Sequence, residues 1–271
     1  MTKKEVSPPA ALCAALRAGS QLVLRSEGLL RRVAKSVASR GRARRAPIPP
    51  GHSHDQSSPR RERFVHARNG NPGIKAVLFD FDGTLTVPGL IDFLAIKKTI
   101  NCPDNSTILE FIESLPTDDE RKKAFLVLEE YEDKAAKAAH PNENTEEVVS
   151  YLRKHDYKLG ILTRNSMLSV RTAMRCFKRI SLQDFDVVLA REHVLKLKPH
   201  PEGVHLACRK FGVLPAELAV VGDYIYDIEA GQKAGALTVF LESEHTTKRP
   251  NPPADFTVKS LDELRGIFGN E

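Results

Sequence analysis

Ile74-Lys75-Ala76-Val77-Leu78-Phe79-Asp80-Phe81-Asp82-Gly83-Thr84-Leu85-Thr86 is the stretch from which the rest of the chain is read. Its first half is short, apolar and partly β-branched, which predicts a buried parallel strand over 74–80 rather than a helix. Gly83 breaks the run. Two carboxylates separated by one residue are therefore released together at the carboxyl end of a strand, where open α/β sheets place their ligands. Asp is a poor strand former, so local stability does not account for the pair. Asp-Gly is also an ordinary turn signal. In chemical terms an Asp can be a covalent nucleophile through an aspartyl-phosphate, and a second carboxylate nearby can move protons.

Three later segments share this design. Leu159-Gly160-Ile161-Leu162-Thr163-Arg164-Asn165 reads as a strand ending on a hydroxyl, with Asn165 or Ser166 as N-cap of the next helix. Lys196-Leu197-Lys198-Pro199-His200-Pro201 puts a lysine in a loop stiffened by two prolines. Leu218-Ala219-Val220-Val221-Gly222-Asp223 is another buried strand, followed by Tyr224-Ile225-Tyr226-Asp227 and a helical run.

Between and beyond these segments strands and helices alternate. Helices are expected near 144–155, 166–177, 201–211, 225–235 and 261–268, with strands at 158–163, 185–190, 218–222 and 236–241. That order implies an α/β fold built on a doubly wound parallel sheet with right-handed crossovers. Every candidate site residue then falls at the carboxyl end of a strand or just beyond it, so all of them converge on one crevice.

The stretch from Pro88 to Pro141 is too long for an ordinary connection and shows helical periodicity. Leu90, Ile91, Phe93, Leu94 and Ile100 form one apolar set; Ile108, Leu109, Phe111 and Ile112 form a second. Ala124, Phe125, Leu128 and Tyr131 line one side of a third helix.

The formal charge of +6 on 271 residues is unevenly placed. Residues 1–72 hold 15 Lys+Arg against 4 Asp+Glu, a net of +11, whereas the remainder holds 26 against 31, a net of −5. The basic segment contains a candidate amphipathic helix over 29–37, then a Pro- and Gly-containing linker. It reads as a dispensable disordered extension, including one produced by a start placed too far upstream. Its Arg-rich, Ser-rich, acid-poor composition also matches a mitochondrial or plastid transit peptide, and its charge a nucleic-acid-binding arm. The four cysteines, Cys13, Cys102, Cys176 and Cys208, form no Cys-x-x-Cys pair and no zinc pattern. A reducing, cytoplasmic setting is the simplest expectation. His52 and His54 read as linker residues. No apolar run reaches membrane-spanning length.

Asp-x-Asp-Gly-Thr, then Thr163, then Lys198-Pro199, then Gly222-Asp223 with Asp227 four residues on, each on its expected element, resembles the haloacid dehalogenase-like hydrolase superfamily over roughly 74–268. The resemblance extends to its phosphoglycolate phosphatase-like phosphatases. It implies a core made of 73–87 and 142–271 and a helical cap over 88–141, shorter than the cap of full-sized phosphoglycolate phosphatases. Such a cap excludes water and reads the leaving group. It also implies Mg²⁺ as cofactor, held by the Asp80 side chain, the Asp82 backbone carbonyl and the Asp223 side chain. Asp227 would hold a metal-bound water or orient the lysine.

Asp80 is then the nucleophile and Asp82 the acid that becomes the base. Thr163 and Lys198 hold the phosphate, and Thr84 fixes the loop and the orientation of Asp82. Arg164 and Asn165 border the site as candidate substrate contacts, with helix capping as the other role open to Asn165. Haloacid dehalogenases lack a carboxylate at the position of Asp82, because a halide needs no proton, so Asp82 favours a phosphate ester. Ion-pumping ATPases share the Asp and the Gly-Thr-Leu-Thr tail but need membrane spans. The expected activity is Mg²⁺-dependent hydrolysis of a small phosphorylated metabolite. A phosphomutase of the same fold, or a non-catalytic protein using the basic tail on nucleic acid, are the alternatives.

Overall fold

A computed structural model describes residues 73–269. The basic extension, the candidate helix at 29–37, the His52/His54 linker and Cys13 lie outside the described residues. Six strands, β1 (Ala76–Phe79), β2 (Lys158–Leu162), β3 (Val187–Leu189), β4 (Leu218–Gly222), β5 (Leu237–Leu241) and β6 (Phe256–Val258), form one sheet in the order β3-β2-β1-β4-β5-β6. All neighbours are parallel. The chain lays β2 and β3 on one side of β1 and then crosses to place β4 on the other. This reversal of strand order is the topological switch point, and it leaves a crevice at the carboxyl ends of the central strands.

β1 is buried on both faces, as a central parallel strand must be. Val77 and Phe79 join one apolar core, and Ala76 and Leu78 the other. The first core is closed by α4 (Thr145–Lys154), α5 (Met167–Ala173) and α8 (Leu264–Phe268), through Val148, Leu152, Val170, Leu264 and Phe268. The second is closed by α6 (Glu202–Phe211) and α7 (Ile225–Ala234), through Val204, Ala207, Phe211, Ala230 and Ala234. Both faces are covered, which is why the central strands β1 and β4 read as continuous apolar runs.

Between β1 and α4 the chain makes a helical insertion of α1 (Phe93–Thr99), α2 (Ile108–Ser114) and α3 (Asp118–Lys137). Asp92 caps α1 by accepting from the Ala95 amide at 2.9 Å. Thr117 and Glu120 form a reciprocal capping box at the start of α3. Ile96, Ile108, Leu109, Ile112, Ala124 and Leu128 give the insertion its own core. The two connections to it run side by side: the Val87 amide donates to the His140 carbonyl at 3.0 Å and the Asn142 amide to the Leu85 carbonyl at 2.9 Å.

Several sequence expectations are corrected here. Phe93 and Leu94 are 57% and 76% exposed, because the inward stripe of α1 runs through Ile96, with Ile100 packed beside it. Leu90 packs on the main core instead of the insertion. β6 was not anticipated: three residues after a Pro-Pro pair are too short to show a period. Asp255 fixes it by accepting from the Thr238 amide and hydroxyl, at 2.8 and 2.7 Å. The expected closing helix is a 3₁₀ turn over Leu261–Glu263 followed by α8. The expected helix at 166–177 ends as α5 at Ala173 and continues as a 3₁₀ turn over Met174–Cys176.

Leu152 is fully buried between α4 and the sheet. Leu152→Ala is expected to cost about 2–5 kcal/mol, read as a lower urea midpoint at unchanged m-value, with substrate affinity intact below the transition. A midpoint at the wild-type value would show that this layer does not carry the core.

Candidate active site

The tip of β1 sets the first two side chains. The Asp80 amide donates to the Val221 carbonyl at 2.8 Å, which extends the β1–β4 ladder by one residue. Phe81 turns into the core, where it is fully buried, and pins the backbone between the two acids. Gly83 has φ +84°, and a Cβ there would overlap the Asp223 carboxylate. Glycine is thus needed both for the turn and for the approach of β4. The Asn142 side chain donates through Nδ2 to the Thr84 carbonyl at 3.1 Å and fixes the loop from outside.

The tip of β4 brings two further acids. A Cβ on Gly222 would overlap the Asp227 side chain, so the strand must end on glycine for α7 to start beside it. Asp227 is buried and accepts from the Tyr224 amide at 3.1 Å. The Thr84 hydroxyl donates to Asp223 Oδ1 at 2.8 Å. Thr84 therefore orients Asp223 rather than Asp82, the partner expected from the sequence. One carboxylate oxygen each from Asp80, Asp223 and Asp227 lies within 4.8 Å of the others.

Lys198 joins the two tips. Its buried Nζ lies 2.6 Å from Asp80 Oδ1 and 2.6 Å from Asp227 Oδ1, and donates to the Leu162 carbonyl at 2.7 Å. Asp227 thus holds the lysine in place.

β2 supplies the opposite wall. Asn165 Nδ2 donates to Asp82 Oδ2 at 2.8 Å, and the Thr163 hydroxyl reaches the same oxygen at 3.4 Å. Ser166, not Asn165, caps α5, accepting from the Ser169 amide at 3.1 Å. Arg164 donates through Nη1 to the Lys198 carbonyl at 2.6 Å and through Nη2 to Glu110 of α2 at 2.8 Å, and lies 5.1 Å from the Tyr226 ring centre. A second link to the insertion is buried: Arg191 Nη1 and Glu132 Oε1 of α3 are 2.7 Å apart.

A model of the haloacid dehalogenase-like hydrolases matches residues 77–241, which contain all of these side chains. The chain belongs to the haloacid dehalogenase-like hydrolase family. It is an enzyme, and its relatives in the family include phosphatases. It is 34% identical over 201 residues to an uncharacterized hydrolase of Saccharomyces cerevisiae, covering 73% of this chain and 92% of the yeast protein. It is 27% identical to the N-acetylmuramic acid 6-phosphate phosphatase of Pseudomonas aeruginosa, over 72% and 95% of the two chains. The crystal structure of a predicted phosphoglycolate phosphatase from Haemophilus somnus shares the fold at a TM-score of 0.58 and 23% identity, covering 72% of this chain and 98% of that one.

In this hydrolase the electrostatics follow from crowding. Burial, then the charges of Asp80 and Asp227, push the Asp223 carboxyl up to about 8; burial and Asp80 push Asp227 to about 6. Asp82 rises to about 7 through desolvation and the neighbouring Asp80 and Glu132 charges, against the pull of Lys198 and Thr163. For Lys198, burial opposes the charge, but Asp227 and Asp80 outweigh it and hold the ammonium above the ordinary lysine range.

Sequence reading missed Glu110, Glu132, Arg191, Asn142 and Tyr226 as neighbours of the site. Glu132 had a signal: it continues the buried Ala124–Leu128 stripe of α3 at four-residue spacing, and a carboxylate on an apolar stripe demands a partner.

The raised Asp223 carboxyl gives a stability prediction. Its ordinary value is 3.8 and its folded value about 8, so the folded protein binds the extra proton between them and loses stability as pH rises through that window. Asp223→Asn, which keeps an acceptor for Thr84, should raise the melting temperature in chelator at pH 8 by a few degrees and by nothing near pH 4. A lower melting temperature at pH 8 would contradict the crowding described here.

Proposed function

We propose that this family member is a divalent-metal-dependent phosphomonoesterase, with Mg²⁺ as the cation, acting on a small phosphorylated metabolite through an aspartyl-phosphate on Asp80. The observation that carries this reading is the placement of Lys198 at 2.6 Å from Asp80, with Asp82 held separately by Asn165. The two carboxylates at one strand tip are thereby given different surroundings and different work.

Phosphoryl transfer asks a protein mainly for positioning and for charge to meet the equatorial oxygens. Lys198 supplies a permanent cation whose position is set by Asp227 and the Leu162 carbonyl. Asp80 presents an oxygen to phosphorus in line with the leaving group. Asp82, with a carboxyl pushed up to about 7, is protonated often enough near neutrality to give its proton to the leaving oxygen. Once ionised, it takes a proton from the water that hydrolyses the acyl phosphate. Asn165 holds it by donating to its carboxylate, and the Thr163 hydroxyl is free to turn from Asp82 to a phosphate oxygen when substrate is bound.

The donor set fits a hard divalent cation. Clustered carboxylate oxygens suit one, and the upward shift of Asp223 reports negative charge left without enough positive charge. Asp80, Asp223 and the Asp82 carbonyl would hold it, with Thr84 keeping Asp223 in place. When bound it neutralises charge on the transferring phosphoryl group.

On this reading residues 73–87 and 142–271 are the hydrolase core and 88–141 is a cap. The cap is docked on the core by the Arg191–Glu132 and Arg164–Glu110 pairs. With two helices of seven residues and one of twenty, it is a small cap and favours a compact leaving group, in the range from phosphoglycolate to a sugar phosphate. The family relationship to an N-acetylmuramic acid 6-phosphate phosphatase supports the upper part of that range.

Rapid quench separates the two roles. Asp80→Asn should form no phosphoenzyme from any substrate. Asp82→Asn should lose about 10²–10⁴-fold on an alkyl phosphate, which needs the proton, and far less in phosphoenzyme formation from an aryl ester with an acidic phenol. Equal losses on both ester types, or phosphoenzyme in the Asp80→Asn protein, would remove these assignments.

A further inference from the structure

Two Arg–Glu pairs join the insertion to the core, and they differ in a way the hydrolytic chemistry does not require. The Arg191 and Glu132 side chains are 13% and 3% exposed. The Arg164 and Glu110 side chains are 20% and 50% exposed. Removing one partner of a buried pair leaves an uncompensated charge and is strongly destabilising, whereas an exposed pair contributes little net stability. Glu132 therefore cannot leave Arg191. Glu110 can leave Arg164, because water solvates a half-exposed carboxylate.

The arginine itself would not move when Glu110 leaves. Its Nη1 stays on the Lys198 carbonyl and its plane stays against Tyr226. Tyr226 is in turn held edge-on by Tyr224, ring centres 4.9 Å apart at 88°. Arg164 also follows Thr163 directly in the chain, and its backbone carbonyl faces Arg191 Nη1 at 3.4 Å. The result is a preorganised cation between the phosphate-binding loop and the insertion. Its other terminal nitrogen, Nη2, is directed at a carboxylate, with both oxygens of Glu110 at 2.8 Å.

We infer that Arg164 is a specificity-determining residue of this site: it receives a carboxylate carried by the leaving group of the substrate, and Glu110 is the internal counter-ion that the substrate's carboxylate displaces. This rests on the phosphatase reading and narrows its substrates to phosphate esters of small hydroxy acids. No bond is made or broken in the exchange. One carboxylate replaces another on Nη2, and Glu110 passes to solvent. An uncharged alcohol as leaving group would give Arg164 nothing and leave Glu110 in place.

The test uses equilibrium binding, so it does not depend on turnover. 3-Phosphonopropionate and propylphosphonate have the same chain length and differ in the terminal carboxylate. Calorimetry in the presence of Mg²⁺ gives the ratio of their dissociation constants. Wild type should favour the carboxylate by about 10–100-fold, the range of a charge-assisted contact. Arg164→Gln should bring the ratio close to one, and Arg164→Lys, which keeps the charge without the fork, should keep part of it. Glu110→Gln, which removes the competing charge, should raise the ratio by ~2–5-fold, in line with an exposed ion pair.

A purely structural role for Arg164 would weaken both ligands together and leave the ratio unchanged, which overturns the inference. A fall in the ratio with Glu110→Gln overturns it too. Failure of the phosphatase reading looks different: no phosphate ester is hydrolysed, whatever the ratio of the two phosphonates.

Discussion

Lys198 is the constraint on which the rest of the site depends. Four aspartates meet at the tips of two adjacent parallel strands, and a buried charge costs several kcal/mol unless it is paired. One ammonium, shared between Asp80 and Asp227 and donating to the Leu162 carbonyl, offsets part of that cost and ties β1, β2 and β4 together at their carboxyl ends. Asp223 and Asp82 are left outside its direct reach. They are also the two carboxyls pushed furthest up, to about 8 and about 7. The distribution of protons in the site thus follows from the position of a single side chain.

Close approach of these tips is a matter of missing atoms as much as of attractive contacts. Gly83 and Gly222 stand where any Cβ would strike Asp223 and Asp227 respectively. The Gly in Asp-x-Asp-Gly-Thr and the Gly before Asp223 are therefore one device seen from two strands. Such crowding lowers stability and, on the proposed reading, keeps a site ready for a cation, the usual exchange of stability for function. The insertion is attached by the same economy of charge: one pair on α3 sealed in protein and one on α2 open to water, so that the two helices are held with different firmness.

The strand tips were legible because buried parallel strands are continuous apolar runs, and four acids, a Thr and a Lys interrupt or follow those runs at fixed places. The parallel, doubly wound sheet follows from the same alternation; its strand order, set by pairings between distant segments, does not. What was not legible depends on contacts between segments far apart in the chain. Thr84 could be placed on the loop but not assigned to Asp223, 139 residues away. Asn165 was a cap or a site residue until Ser166 took the cap. Phe93 and Leu94 belonged to an apolar set by periodicity, but α1 is only seven residues long, too short for its pattern to fix which face turns inward. β6 has three residues and two of them face out.

On the proposed reading Asp80 is the group that takes the phosphoryl from substrate. Borohydride reduces an acyl phosphate at its carbonyl carbon, releasing phosphate and converting the aspartate to homoserine. Wild-type protein quenched in steady state with a turned-over ester and then reduced should, after peptide mapping by mass spectrometry, carry homoserine at position 80 and nowhere else. Homoserine at position 82, 223 or 227, or an unmodified position 80 under conditions of full turnover, would contradict it.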